Sequence, residues 1–133
     1  MKKLLLIGCG HMGNALLDSW IKSNKYQLTV IDPVKFKKLK NKYKNKKIVF
    51  NKSISELKNF EKFNFVVFAT KPVDLELALN DLSKLRFNKE VVIISIVAGK
   101  KINIFKKTFK NCKNFFRAMP NMPAAVGESM NCL

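Results

Sequence analysis

Three glycines near the amino terminus constrain this chain more than any other feature of its sequence. They are Gly8, Gly10 and Gly13, in the spacing G-x-G-x-x-G, and they follow an apolar run from Lys3 to Ile7 directly. In a strand-to-helix turn the first glycine permits the tight turn, the second lets a pyrophosphate approach the backbone, and the third allows close packing of helix on strand. The phosphates bind the unpaired backbone N–H groups at the start of the helix. The pattern predicts a dinucleotide site, although a glycine-rich turn without a ligand would also satisfy it.

Short apolar runs alternate with amphipathic stretches along the chain, a pattern typical of helices packed on a parallel sheet. Right-handed crossovers leave few arrangements for such elements, so we predict an α/β fold: a Rossmann-type, doubly wound, mainly parallel six-stranded sheet in the order 3-2-1-4-5-6. No linker interrupts the pattern, so residues 1–133 are predicted to form one dinucleotide-binding domain. The predicted strands are Lys3 to Ile7, Gln27 to Ile31, Lys47 to Phe50, Phe65 to Ala69, Val91 to Ile96 and Phe115 to Ala118.

The stretches between these strands carry apolar residues at helical spacing. Ser53, followed by Glu56, has the pattern of a capping box and predicts a short helix there. Lys101 to Thr108 is the last predicted helix. The residues predicted to cover the sheet are Met12, Ala15, Leu16, Ser19 and Trp20 on the first helix, Phe36, Leu39 and Tyr43 on the second, and Leu75, Leu79, Leu82 and Leu85 after Pro72.

Asp32 ends the second predicted strand, 19 residues beyond Gly13. A carboxylate at that position can accept hydrogen bonds from the adenosine ribose hydroxyls and repels the additional phosphate of NADPH. We therefore expect NADH to bind at least as well as NADPH, unless the lysines from Lys35 to Lys38 accommodate that phosphate. Alternatively, Asp32 and Pro33 merely turn the chain into the second helix.

Two further segments follow strands with residues that ordinary turns do not require, and they lie where the ligand crevice of an open parallel sheet forms. They are Ala69-Thr70-Lys71-Pro72 and Ala98-Gly99. His11, the only histidine, is expected to contact phosphate through its backbone rather than to transfer a proton. Near the carboxyl terminus, prolines bracket Asn121 and fix a rigid turn that a simple loop does not need.

Taken in order, these motifs resemble those of pyrroline-5-carboxylate reductases. The resemblance covers essentially the whole chain and rests on the glycine loop, Ala69 to Pro72, the S-x-x-A-G of Ser95 to Gly99, and the R-A-M-P-N-x-P-A of Arg117 to Ala124. The Met-Pro-Asn segment is its most discriminating part. Two residues depart from the family pattern: Met122 stands where the family usually has Thr, and His11 replaces an Asn.

The resemblance implies an enzyme that transfers hydride from NADPH or NADH to the imine carbon of 1-pyrroline-5-carboxylate, giving proline, with no metal. It places Asn121 beside the reacting ring, while the catalytic residue stays unknown. The family also has a helical carboxyl-terminal domain that forms its dimer, and the chain ends at Leu133 without it. We therefore expect this chain to bind cofactor and to reduce the substrate poorly by itself. The expected cofactor contacts are Gly8, Gly10, His11, Met12, Gly13, Asp32, Asn51, Ala69, Thr70, Lys71, Pro72 and Ala98.

The alternatives are another Rossmann reductase, acting on a different imine or a β-hydroxy acid, and a basic module that binds nucleic acid. The formal net charge of +17 favours anionic partners. However, only Arg86 and Arg117 supply guanidinium groups, so we favour a solvated lysine surface over a nucleic-acid platform. Three cysteines without close spacing indicate a reducing cytoplasm, and no apolar run is long enough to cross a membrane.

Overall fold

Six parallel strands form one sheet in the computed structural model, which describes residues 1–118. The sheet order is β3-β2-β1-β4-β5-β6, and every neighbouring pair is parallel, so the predicted topology is confirmed. The predicted strand ends differ from the observed ones by no more than one residue. The strands are β1 Lys2–Ile7, β2 Tyr26–Ile31, β3 Ile48–Asn51, β4 Phe65–Phe68, β5 Val92–Ser95 and β6 Asn114–Arg117.

The helices follow the strands as the apolar spacing predicts. Ser53 and Glu56 form the predicted capping box, and the turn that they begin is a short 3-10 helix. Leu85 was predicted to belong to the helix after Pro72, but that helix ends at Leu82 and Leu85 is half-buried in the turn that follows. The helices are α1 His11–Ser23, α2 Phe36–Lys42, α3 Leu75–Leu82 and α4 Asn103–Thr108, with 3-10 turns at Ile54–Glu56, Phe60–Lys62 and Pro72–Asp74.

The sheet is covered on both faces, as its continuous apolar strands predict. On β1, Leu4 and Leu6 belong to one buried cluster, together with residues of α1 and α2. The intervening Leu5 belongs to a second cluster, which includes residues of α3 and α4. Because successive side chains of a strand point to opposite faces, α1 and α2 lie on one side of the sheet and α3 and α4 on the other.

The inward face of α1 differs from the prediction at two positions, since Ala15 and Ser19 are exposed and Leu17 is buried in their place. The physical reason is the close contact of Gly13 with Ala69, because a Cβ on Gly13 would lie 3.2 Å from the Ala69 Cβ. This contact fixes the rotation of α1 about its axis. The buried residues then repeat at the i, i+3, i+4, i+7 spacing of a single helix face, and they are Gly13, Leu16, Leu17 and Trp20.

The two glycines of left-handed backbone conformation provide a test of packing at the β1–α1 turn. Gly8 has φ +83°, and a Cβ there would lie 2.9 Å from the Thr70 Cα. Gly99 has φ +71°, and a Cβ there would meet no atom of the described residues within 4 Å. We expect Gly99→Ala to lower the free energy of unfolding by about 1–2 kcal/mol, the cost of the left-handed conformation for alanine. We expect Gly8→Ala to lower it by about 2–5 kcal/mol, because overpacking against Thr70 adds to that cost. Urea unfolding measures both, and equal losses would contradict the contact with Thr70.

Candidate functional site

Residues from five different parts of the sequence meet at the carboxyl edge of the sheet. Each follows or ends one of the adjacent strands β1 to β5. The sequence-predicted Asn121 lies outside the described residues, so its placement stays a prediction. The predicted site residues that the structure places at this edge are Gly8, Gly10, His11, Met12, Gly13, Asp32, Asn51, Ala69, Thr70, Lys71, Pro72 and Ala98.

The three glycines of the loop play three different structural parts. Gly8 turns the chain with a positive φ, and its N–H donates to the Ile31 carbonyl oxygen at 2.8 Å. Gly13 packs α1 against Ala69. A Cβ on Gly10, by contrast, would meet no atom within 4 Å, and its φ of −73° is one that any residue adopts. Glycine at position 10 is therefore not required by the packing or by the backbone conformation of the described residues.

The amino terminus of α1 is open toward this space. Gly10 is its N-cap residue, and no side chain caps the helix. The Asn14 N–H donates to the Gly10 carbonyl oxygen at 2.8 Å. The N–H groups of the first turn before it have no intrahelical acceptor, as at every helix start, and they carry the positive end of the helix dipole. His11 is exposed and Met12 half-buried at this end.

Thr70 presents a buried hydroxyl without a partner beside the glycine loop. Its Oγ1 has no hydrogen-bond partner among the described residues, although a buried hydroxyl normally has one. Its Cα and Cγ2 lie about 3 Å from the position that a Gly8 Cβ would occupy. The open space at Gly10, the uncapped helix and this hydroxyl together fit a phosphate-bearing ligand with hydrogen-bonding oxygens, which is the chemistry of a dinucleotide.

Asp32 is buried, with 8% of its surface exposed, and its carboxylate is held by the chain itself. Its Oδ2 accepts from the Cys9 N–H at 2.9 Å. Its Oδ1 accepts from the N–H groups of Val34 at 3.0 Å and Lys35 at 2.9 Å. The side chain thus forms the turn into α2, the alternative interpretation of its sequence position, and also joins that turn to the glycine loop.

Cys9 is buried inside the loop, between Gly8 and Gly10. Burial, and next the nearby Asp32 carboxylate, raises the pKa of its thiol from 9.0 to about 12. The thiol therefore stays protonated at neutral pH, and Cys9 contributes its backbone N–H rather than a nucleophile.

Farther from the loop, the predicted contacts differ in exposure. Lys71, Pro72 and Ala98 are exposed, while Asn51 is half-buried and accepts the Asp32 N–H through its carbonyl oxygen at 3.2 Å.

Sequence reasoning overlooked two exposed apolar side chains at this edge, Val34 and Val73, which are 89% and 86% exposed. Each comes directly after a proline in the loops that follow β2 and β4, the two strands flanking β1. The Pro-Val repetition was the available signal.

A polar contact between α1 and α2 was also missed, because Tyr43 had been assigned only to an apolar face. Its hydroxyl donates to the Asp18 Oδ1 at 2.6 Å and lies 3.1 Å from the Asn14 Oδ1. Burial and the hydrogen bond to Asp18 raise the pKa of Tyr43, so the hydroxyl remains a donor. The contact joins the carboxyl end of α2 to α1.

Exposed lysines are found on both sides of the sheet in the described part of the fold. Eight of them, from Lys35 to Lys47, are exposed on or beside α2. Another group, from Lys100 to Lys113, surrounds α4, which packs on the opposite face of the sheet. A continuous stripe would be expected of a surface that follows a nucleic-acid backbone.

No helix within residues 1–118 is both long and apolar enough to cross a membrane.

A groove of about 1150 Å³ lies away from the glycine loop, mostly at the amino ends of β1, β2 and β3. Its lining includes Lys3, Tyr26 and Ile48 but none of the three loop glycines. Ligands of open parallel sheets bind at the carboxyl ends of the strands, so the carboxyl edge remains the candidate site despite the size of this groove.

The family model described as "NADP oxidoreductase coenzyme F420-dependent" matches residues 3–99, more than half of the chain. The chain belongs to this family. The match includes the glycine loop, Asp32, Ala69 to Pro72 and Ala98. At the level of the family, it confirms the predicted nicotinamide dinucleotide cofactor.

Curated relatives extend the similarity beyond the family match. The pyrroline-5-carboxylate reductase of Pasteurella multocida is 29% identical over 134 residues, which cover 99% of this chain and 48% of that protein. The chain thus spans about half the length of the bacterial relatives that it matches. These relatives confirm the resemblance to the amino-terminal half of pyrroline-5-carboxylate reductases.

Solved structures share the fold. The 1-pyrroline-5-carboxylate reductase of Streptococcus pyogenes has a TM-score of 0.59 at 21% identity, over 80% of this chain and 38% of that one. The imine reductase of Bacillus cereus has a TM-score of 0.67 at 16% identity, over 91% and 43%. At these identities the structures support the Rossmann fold and leave the substrate open.

The raised pKa of Cys9 predicts slow alkylation in the folded protein. At pH 8 a thiol with a pKa of about 12 has about a thousandfold less thiolate than one with a pKa of 9.0, and burial also blocks access. We expect Cys9 to react with iodoacetamide at least about a hundredfold more slowly in the native chain than in urea. Peptide mass spectrometry measures this, and similar rates in the two states would contradict the buried placement of Cys9.

Proposed function

We propose that this chain binds NADPH or NADH through its glycine loop and forms the cofactor-binding part of a cytoplasmic reductase that converts 1-pyrroline-5-carboxylate to proline. The observation that carries the cofactor assignment is the empty space beside Gly10 in front of the uncapped start of α1. Neither the packing nor the backbone conformation of the described residues accounts for a glycine there, whereas the approach of a pyrophosphate does.

The rest of the cofactor lies along the carboxyl edge in this proposal. The pyrophosphate accepts hydrogen bonds from the N–H groups of the first turn of α1. The Thr70 hydroxyl, which lacks a partner among the described residues, donates to a cofactor oxygen. The exposed side chains of Val34 and Val73 supply apolar surface for the adenine on the two sides of the loop.

The substrate assignment depends on the curated relatives and on the segment from Arg117 to Ala124. The relatives are pyrroline-5-carboxylate reductases matched over nearly all of this chain. A different imine is the rival substrate, since the imine reductase of Bacillus cereus shares the fold. The Met-Pro-Asn sequence at Met119 to Asn121, which resembles the pyrroline-5-carboxylate reductase motif, favours 1-pyrroline-5-carboxylate.

When bound, the dihydronicotinamide supplies the hydride. The residues of this chain bind and orient the cofactor, and correct orientation of two reactants is worth roughly 7 to 11 kcal/mol of barrier. The uncapped start of α1 would hold the pyrophosphate, and the edge formed by Thr70 and Ala98 would support the rest of the molecule. The Cys9 thiol is not assigned to proton transfer, because it is buried and protonated.

The cofactor proposal predicts a loss of binding in Gly10→Ala. A methyl group there would occupy the space of the pyrophosphate, so we expect NADPH and NADH to bind at least about tenfold more weakly. Thermal unfolding should change little, because nothing in the described structure lies within 4 Å of that Cβ. Fluorescence titration measures the affinity, with Ser19→Ala, an exposed position farther along α1, as the control. Unchanged affinity in Gly10→Ala would rule out the assigned site.

The substrate proposal is tested in a chimera in which residues 1–133 replace the matching half of the Pasteurella multocida relative. We expect the chimera to oxidise NADPH or NADH when 1-pyrroline-5-carboxylate is added and to release proline, with less than about a tenth of that rate for a cyclic imine without a carboxylate. The loss of dihydronicotinamide absorbance measures the rate. A chimera that reduces the second imine faster would contradict the assignment.

A further inference from the structure

The glycine loop is attached to the neighbouring turn through one carboxylate. Cys9 lies within the loop, and its N–H donates to the Asp32 Oδ2 at 2.9 Å. The Oδ1 of the same side chain accepts from Val34 and Lys35, at the start of α2. One side chain therefore links the loop after β1 to the turn after β2.

The remaining hydrogen-bonding capacity of Asp32 is small. A carboxylate has about four acceptor positions, and three are filled by these backbone N–H groups. Recognition of both ribose hydroxyls needs two further acceptor positions on a side chain that is only 8% exposed. Asp32 could accept both hydroxyls only by releasing one of its backbone donors.

The turn that leads into α2 has its backbone donors satisfied by the same residue. The Asp32 carboxylate accepts the N–H groups of Val34 and Lys35, and its carbonyl oxygen accepts that of Phe36 at 3.1 Å. This turn therefore has acceptors within the chain, although neither α1 nor α2 has a side-chain cap among the described residues. The loop that leads into α1 is the one that the same carboxylate fixes through Cys9.

We propose that Asp32 is a positioning residue, which holds the glycine loop in the conformation that binds pyrophosphate and does not select between NADH and NADPH. This inference rests on the proposed dinucleotide site. It differs from the expectation drawn from the sequence, in which the carboxylate binds the ribose and disfavours the 2′-phosphate.

The two roles predict different outcomes for one measured ratio, the affinity for NADH relative to that for NADPH. If Asp32 positions the loop, Asp32→Ala weakens the binding of both NADH and NADPH by at least about tenfold, because a charge-assisted hydrogen bond is lost. The ratio of the two affinities then changes less than about fivefold. If Asp32 binds the ribose, the variant loses affinity for NADH and gains it for NADPH. Isothermal titration of both dinucleotides at two salt concentrations measures the ratio.

A second readout separates loop positioning from a general loss of stability. ADP-ribose contains the pyrophosphate and adenosine does not. Asp32→Ala should therefore lower the affinity for ADP-ribose by at least about tenfold and change the affinity for adenosine less than about twofold. NMR titration measures the adenosine affinity. Hydrogen exchange of the Cys9 amide should also accelerate in the variant, because its acceptor is removed.

Asp18→Ala is the matched control, because it too removes a carboxylate that accepts a hydrogen bond between elements, from Tyr43, but away from the carboxyl edge. It should lower the melting temperature without changing dinucleotide affinity. Should Asp32→Ala fail to fold, Asp32→Asn replaces it, since its amide keeps one acceptor oxygen and cannot retain both the Cys9 and the α2 bonds. The same parallel loss of both dinucleotides is then expected.

The outcomes distinguish this inference from the proposed function. A wild-type chain that binds neither NADH nor NADPH overturns the dinucleotide site itself. The positioning role alone is overturned if the wild-type chain binds both dinucleotides and the Asp32 variant gives any of three results. The variant keeps full affinity, its affinity ratio shifts by more than about fivefold, or its binding of adenosine weakens as much as its binding of ADP-ribose. A parallel loss confined to pyrophosphate-bearing ligands supports it.

Discussion

The close approach of the β1–α1 turn to the end of β4 is the contact on which the rest of the site depends. Gly8 leaves no room for a Cβ beside Thr70, and Gly13 brings α1 against Ala69. Side chains at these two positions would push the helix away from the sheet. The uncapped start of α1 would then no longer face the edge where the other strands end. Two packing glycines thus determine where the positive end of the helix dipole lies, and the third leaves space in front of it.

The electrostatic character of the edge depends on which backbone N–H groups there have hydrogen-bond acceptors within the chain. The Asp32 carboxylate accepts the N–H groups of Val34 and Lys35, in the turn before α2, and also the Cys9 N–H, so three of its acceptor positions are filled within the chain. Backbone donors remain at α1 for an anionic ligand. The arrangement explains why a very basic chain has one buried acidic group beside its candidate phosphate site, since that group stabilises the conformation of the loop.

The sequence allowed the sheet order and the glycine turn to be predicted, because both follow from local periodicity and from a motif of fixed spacing. It did not reveal the rotation of α1, since the contact that sets it joins Gly13 to Ala69, far along the chain. Ala15 and Ser19 were therefore wrongly assigned inward. The three donors bound by Asp32 were equally hidden, because a motif identifies a carboxylate near the ribose but not which of its lone pairs the backbone fills.

Binding of a nicotinamide dinucleotide at the glycine loop can be measured by titrating the isotopically labelled chain with NADPH and with NADH while following backbone amide resonances. We expect saturable shifts that are largest at the amides of residues 8–13, with smaller ones at Asp32 and Thr70. Shifts confined to the groove near Lys3 and Ile48, or no shifts at millimolar dinucleotide, would contradict binding at the glycine loop.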